Sequence, residues 1–200
     1  MKAKLIVLLL ATLLFTGCSQ LPSAETNFSA ESSTNTEETT STENTEETTN
    51  EEPYIVTFEA STIEEETITS DIFADSKLTM LNVWASYCNP CLNEMPDLAE
   101  IALEYDSAEF QMLGIICDVS VFSDENALSE AMDLIEDTGA TTYPHLLLND
   151  SLYSSLVGAI DSVPTTFFIN QKGEMLGYVV GSRNKESWEN IINELLAEME

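Results

Sequence analysis

Two cysteines three residues apart, Cys88 and Cys91, frame Asn89-Pro90 just after an apolar run. Residues at i and i+3 share one face of a helix, so two such sulfurs can meet and bond. Pro90 falls just inside the helix predicted to follow, where its missing N–H costs nothing. Cys88 then sits at the helix start, where free N–H groups and the positive end of the dipole favour a thiolate. Cys91 lies one turn in, less exposed, and suits a resolving thiol. This spacing supports a switch between a dithiol and a disulfide.

The elements that must position the pair are legible on both sides of it. Leu78–Trp84, a mostly apolar run with Asn82 inside it, predicts a buried strand. The helix beyond is predicted to turn Leu92, Met95, Ala99, Ala102 and Tyr105 inward and Glu94, Asp97, Glu100 and Glu104 mostly outward, with a kink at Pro96. Upstream, Tyr54–Phe58 and Glu66–Thr69 predict short strands, and Asp71–Phe73 a helical turn. Downstream, Glu109–Cys117 predicts a strand. Ser123 or Asp124 caps a helix with Leu128, Ala131, Met132 and Ile135 at helical spacing, stopped at Gly139. Tyr143–Leu148 predicts a strand and Ser151–Gly158 a helix. Val163–Asn170 and Met175–Val180 predict a hairpin turning at Gln171–Glu174. The last helix, from Asn184, carries Trp188, Ile191, Ile192, Leu195, Leu196 and Met199 on one stripe. This order predicts an α/β domain with a central sheet flanked by helices.

Charge narrows the partners. The chain has 36 acidic and 6 basic residues, a net charge of −30. Residues 53–200 hold 27 of the acids and only four cations: Lys77, Lys172, Arg183 and Lys185. That balance argues against nucleic acid and against anionic lipid head groups, and favours a basic or neutral partner or simple solubility. The N-terminus reads differently. Lys2 and Lys4 precede an apolar run, Leu5–Phe15, too short to span a bilayer and fit for a signal-peptide core. Ser19–Glu52 carries nine Glu and no Lys or Arg among Ser, Thr and Asn, the composition of a self-repelling disordered tether. The expected organisation is a leader over 1–17, a tether over 18–52 and a catalytic domain over 53–200.

Other chemistry-bearing residues point elsewhere or nowhere. Cys117 ends an apolar strand and reads as a small buried hydrophobe. His145, the one histidine, reads as structural. No residues have metal-ligand spacing and no glycine-rich loop suggests a nucleotide. No cofactor beyond the disulfide is expected, so the electrons must come from another protein.

Two resemblances add to this reading. Leu14-Phe15-Thr16-Gly17-Cys18 resembles a bacterial lipobox, with Phe15 where Leu is usual. It implies cleavage before Cys18 and lipidation of that residue. The alternative is ordinary cleavage with Cys18 incidental. Trp84-Ala85-Ser86-Tyr87-Cys88-Asn89-Pro90-Cys91 followed by Glu94-Met95-Pro96 resembles the TlpA/ResA-like branch of the thioredoxin fold. The resemblance covers roughly Tyr54–Glu200 and implies a mixed central sheet with an N-terminal β extension and a helical insertion near Asp124–Gly139. Val163-Pro164-Thr165 resembles that fold's cis-proline loop, whose backbone can pair with an extended client. Trp84, Tyr87 and Pro90 are then expected to line the client-binding surface with Val163 and Pro164, with plain packing the alternative for Trp84. Thioredoxins proper carry a buried Asp where this chain has Asn82, and the branch has a Glu at the place of Glu94. The resemblance thus implies Glu94 as the base for Cys91.

The branch implies a membrane-tethered, monomeric reductant of the bacterial exterior. It would be recharged by a membrane electron donor of the CcdA type and would serve an exported client, such as a methionine sulfoxide reductase or an apocytochrome c. Three other readings compete. A disulfide-forming oxidase would need a more oxidising pair. A peroxiredoxin-like peroxidase would need Thr or Ser where Ala85 stands. A redox-inert binding lipoprotein would use the pair only to stabilise a helix start.

Overall fold

The computed structural model describes residues 52–199. The expected leader, the lipidation site Cys18 and the tether up to residue 51 lie outside the described residues. Tyr54–Phe58 is no strand. It meets the sheet by a single bridge, Ile55 to Glu174, and spends its apolar side chains Val56 and Phe58 on the core. The first strands are β1 (Glu59–Ser61) and β2 (Thr67–Thr69), an antiparallel hairpin. A 3₁₀ turn over Ser70–Asp75 then buries Phe73.

β3 (Leu78–Trp84) is buried at every position, as a strand covered on both faces must be. It leads through Ala85–Cys88 into α1 (Asn89–Glu104), which runs on through Pro96. β4 (Phe110–Ser120) extends three residues past its expected end. Asp124, not Ser123, caps α2 (Glu125–Asp137), accepting the Ala127 N–H. Ala131 and Ile135 face the core there, whereas Met132 is exposed. Gly139 ends the segment with φ +73°, a left-handed conformation that glycine adopts without steric cost. β5 (His145–Leu148), α3 (Asp150–Ser155), β6 (Thr165–Asn170), β7 (Met175–Val180) and α4 (Lys185–Glu198) complete the chain.

The five-stranded sheet has the order β5-β4-β3-β6-β7. β3, β4 and β5 are parallel; β6 is antiparallel to β3, and β7 to β6. α1, α2 and α4 pack one face through Met95, Leu98, Ile101, Ile135, Trp188 and Ile192. The N-terminal segment and α3 cover the other through Val56, Phe58, Leu152 and Leu156. The expected mixed sheet, N-terminal β extension (β1–β2) and helical insertion (α2) are all present. Because β3 is central and parallel to β4, the cysteine pair stands where the parallel strands end.

One glycine is required by close approach. Gly114 pairs in register with Asn82 on β3 and His145 on β5. A Cβ there would lie 2.3 Å from His145 Nδ1. That ring is bonded on both sides, to the Trp84 indole N–H and to Ala140 O, so it cannot step aside. Gly114→Ala is therefore expected to cost about 1–3 kcal/mol by overpacking. Scanning calorimetry should show Tm lowered by roughly 5 °C, scaled to a domain of this size.

Candidate functional site

The site grows out of the β3–α1 junction. Asp118, near the end of β4, accepts both the backbone N–H (3.1 Å) and the hydroxyl (2.6 Å) of Ser86, which fixes the loop before the motif. The Cys88 N–H donates to Ala85 O, closing a tight turn. Cys88 then caps α1, and its Sγ accepts the Cys91 N–H at 3.3 Å. The two sulfurs are bonded, with Cα atoms 5.3 Å apart. Cys88 is 6% exposed and Cys91 0%, so only the Cys88 sulfur is open to attack from outside. Pro90 is exposed beside it, in the first turn of the helix.

The residues expected to face a client divide into two groups. Tyr87 stands out at 73% exposure next to Cys88. The Val163–Pro164 bond is cis, with Val163 half-buried and Pro164 buried. Trp84, expected on the binding surface, is instead 0% exposed. Its indole Nε1–H donates to His145 Nδ1 at 3.2 Å, and His145 Nε2–H donates to Ala140 O at 2.8 Å. Burial pushes the His145 pKa down to about 4, so the ring is neutral near pH 7 and accepts at Nδ1. Trp84 and His145 meet edge to face and brace the strand behind the pair, out of a client's reach.

Glu94 is the second departure. Its helix-surface neighbours suggested an outward side chain, yet it is 3% exposed. It lies one turn after Cys91 on the same face of α1. Oε1 accepts from Asn82 Nδ2 at 3.1 Å, and Oε2 from the Arg183 backbone N–H at 3.0 Å. Burial raises its pKa above the ordinary carboxyl value, and the bonds from Arg183 and Asn82 offset part of that rise. An open groove of about 440 Å³, between Pro90, Asn93 and Asp97 on one side and Arg183 and Asn184 on the other, reaches this carboxyl. It offers a route for a proton between Glu94 and solvent. A second groove of about 440 Å³, along Phe167, Tyr178 and Val180, contains neither sulfur nor the carboxyl.

The acidic stripe of α1 is held by the start of α4. Beyond the Arg183 bond to Glu94, the Lys185 N–H donates to Asp97 at 2.9 Å, and Lys185 Nζ pairs with Glu100 at 2.8 Å and with Glu104. Sequence periodicity missed this, because the acids meet partners far along the chain.

Cys117 takes no part. It is half-buried, unbonded and pushed up to about 11 by desolvation, so it stays a thiol. Among the described residues no group of His, Cys, Asp and Glu is placed to hold a metal, and no helix is long and apolar enough to cross a membrane.

This geometry has clear relatives. Residues 54–176 match the AhpC/TSA family. The thiol–disulfide oxidoreductase ResA of Oceanobacillus iheyensis is 27% identical over 141 residues, 69% of each chain. A thiol:disulfide interchange protein of Chlorobium tepidum superposes with a TM-score of 0.60 at 24% identity, over 72% of this chain and 97% of that one. The pneumococcal exposed lipoprotein thioredoxin from Streptococcus pneumoniae gives 0.55 at 22% identity, over 69% and 98%. The fold is thioredoxin-like, and its redox group is the Cys88–Cys91 disulfide. The chain belongs to the AhpC/TSA family and is, within it, a thiol–disulfide oxidoreductase carrying its CxxC pair at Cys88 and Cys91.

Proposed function

We propose that the protein is a reductant held outside the cytoplasmic membrane by a lipid on Cys18. Residues 1–17 act as leader, 18–52 as tether and 53–200 as the redox domain. A CcdA-type membrane protein supplies electrons, and an exported client with a disulfide, such as a methionine sulfoxide reductase or an apocytochrome c, receives them. The apolar leader and Gly17-Cys18 support the anchor, as does the likeness to a protein described as an exposed lipoprotein thioredoxin.

In the reduced protein, the Cys88 thiolate attacks one sulfur of the client disulfide, and the other client sulfur leaves as a thiolate. Glu94 takes the proton of Cys91. The Cys91 thiolate then attacks Cys88 Sγ and the second client thiol leaves. Two electrons pass to the client, and the Cys88–Cys91 disulfide remains. Tyr87, Pro90, Val163 and Pro164 seat the client, with the Val163 backbone pairing as an added strand. Ala85 puts no hydroxyl three residues before Cys88, so peroxide is not the favoured substrate.

One observation carries the direction of flow. Among the described residues, Cys88 Sγ in the oxidised form accepts a single hydrogen bond, the 3.3 Å contact from Cys91, and the motif places no cation beside it to hold the reduced thiolate. Oxidants hold their thiolate far more strongly. A weakly held thiolate favours the disulfide form and makes the dithiol a good electron donor. Equilibration of the full chain with dithiothreitol buffers at pH 7 is expected to give a potential near or below about −250 mV. A value near about −120 mV would mean that the protein oxidises its clients, and the direction proposed here would be wrong.

A further inference from the structure

Across the sheet face beneath α1 runs one row of paired positions: His145, Gly114, Asn82, Thr166 and Val179. Asn82 lies at its centre and is wholly buried. Its Nδ2 donates twice, to Glu94 Oε1 at 3.1 Å and to Thr166 Oγ1 at 3.0 Å. Its Oδ1 is buried with no partner among the described residues. A buried amide with one unsatisfied oxygen is costly by itself, so something must offset it. The offset the geometry offers is the hold on Glu94.

We infer that Asn82 is the positioning residue for Glu94: its amide fixes Oε1 at the buried face of α1, and its neutrality leaves that contact with a single carboxyl. The inference rests on Glu94 being the base for Cys91. Two carboxyls about 3 Å apart cannot both ionise, so an acid at position 82 would share a proton with Glu94 and spoil it as a base. A hydrocarbon there would free Oε1 and leave the carboxylate short of a donor. Only an uncharged donor serves both needs. Trp188 and the Arg183 charge lend the carboxylate weaker support, the indole Nε1–H without a hydrogen bond among the described residues. The Arg183 guanidinium is turned onto Gly181 O and Ser182 O, and Lys185 is committed to Glu100 and Glu104. Asp97 is bonded to the Lys185 N–H. Burial, and after it the charge of Glu94, raises Tyr143 above its ordinary value, so it stays neutral. His145 is neutral near pH 7. The cysteines are the groups to be served.

The test uses the full chain, reduced, and the aromatic disulfide 5,5′-dithiobis(2-nitrobenzoate). The first coloured thiolate leaves when Cys88 attacks, the second when Cys91 resolves the adduct, so stopped flow reads the steps separately. Asn82→Leu is expected to leave the first release near wild type and slow the second by about tenfold or more, as a misplaced base does. Its inflection should move to higher pH, because the carboxylate has lost a donor. Asn82→Asp is expected to raise that inflection by about one pH unit or more through proton sharing. The swap Asn82→Asp with Glu94→Gln, which moves the carboxyl to the strand, is expected to recover part of the second release that Glu94→Gln alone loses. If both Asn82 variants keep the wild-type second-release profile while Glu94→Gln abolishes it, Asn82 has no positioning role and Glu94 stands. If Glu94→Gln itself changes nothing, the base assignment fails and the role of Asn82 falls with it. A packing role alone would lower Tm without moving the pH profile. Should Asn82→Leu not fold, the near-isosteric Asn82→Asp decides.

Discussion

Cys91→Ser is expected to turn the enzyme into a trap. The variant keeps the more accessible sulfur and its place at the head of α1, so attack on a client disulfide proceeds and a mixed disulfide forms at Cys88. Resolution then fails, because serine cannot displace the client. What is lost is an intramolecular attack, and well-placed intramolecular reactions have effective molarities of about 10⁵ M and above. External thiols at millimolar levels cannot make that up, so turnover should fall by at least about a thousandfold. Cys88→Ser should lose turnover as fully but form no adduct, since the remaining sulfur, at 0% exposure, meets no client. Gel analysis after acid quenching and alkylation separates the two. Adducts on Cys91 in the Cys88→Ser protein would reverse the roles given to the two sulfurs.

The second large effect belongs to Glu94. A positioned base is worth about 10²–10⁴ in rate, and Glu94→Gln keeps the shape while removing the proton acceptor. The second thiolate release should slow by about a hundredfold, with the first release unchanged. The same substitution acts on stability with a definite sign. Burial raises the Glu94 pKa in the folded protein, so the folded chain binds a proton that the unfolded chain releases above its ordinary carboxyl pKa. The protonated carboxyl's contribution is fully present below that ordinary value and is lost as pH rises through the raised one. Glu94→Gln removes this loss. The oxidised variant should melt higher than wild type at pH 8, with the gap closing toward pH 4, in paired thermal scans. A variant that melts lower at pH 8 would show the carboxylate to be net stabilising where it lies.

Much of the frame around the pair was legible for local reasons. The apolar run Leu78–Trp84 has no use other than burial, and it forms a strand with those bounds. Pro90 and the i, i+3 cysteines locate the start of α1, and Asn184 caps α4 where its side chain suggested. The misreadings share a cause. Helical periodicity sorts Glu94 with its outward neighbours, because the Asn82 amide and the Arg183 N–H that receive it lie on other elements. Trp84 has both a surface and a packing reading beside the motif, and the partner that favours packing, His145, which accepts its indole N–H in the core, lies 61 residues on. A signal for that packing was present in Gly114, a lone glycine inside an apolar strand, the usual mark of a close approach. Tyr54–Phe58 had the alternation of a strand but no partner over its length, and pairing is not a property of one segment.

The clamp between α1 and the start of α4 also sets an order of events in the making of the molecule. The Arg183 N–H that holds Glu94 lies 89 residues further along the chain, and the Lys185 contacts to Asp97, Glu100 and Glu104 lie as far off. A chain that emerges from its N-terminus therefore presents both cysteines long before the backbone that seats their carboxyl. Until the segment from Arg183 onward arrives, the nascent domain has sulfurs able to pair but a Glu94 still short of the Arg183 N–H. Resolution by Cys91 thus waits on the segment around Arg183, whereas attack by Cys88 does not.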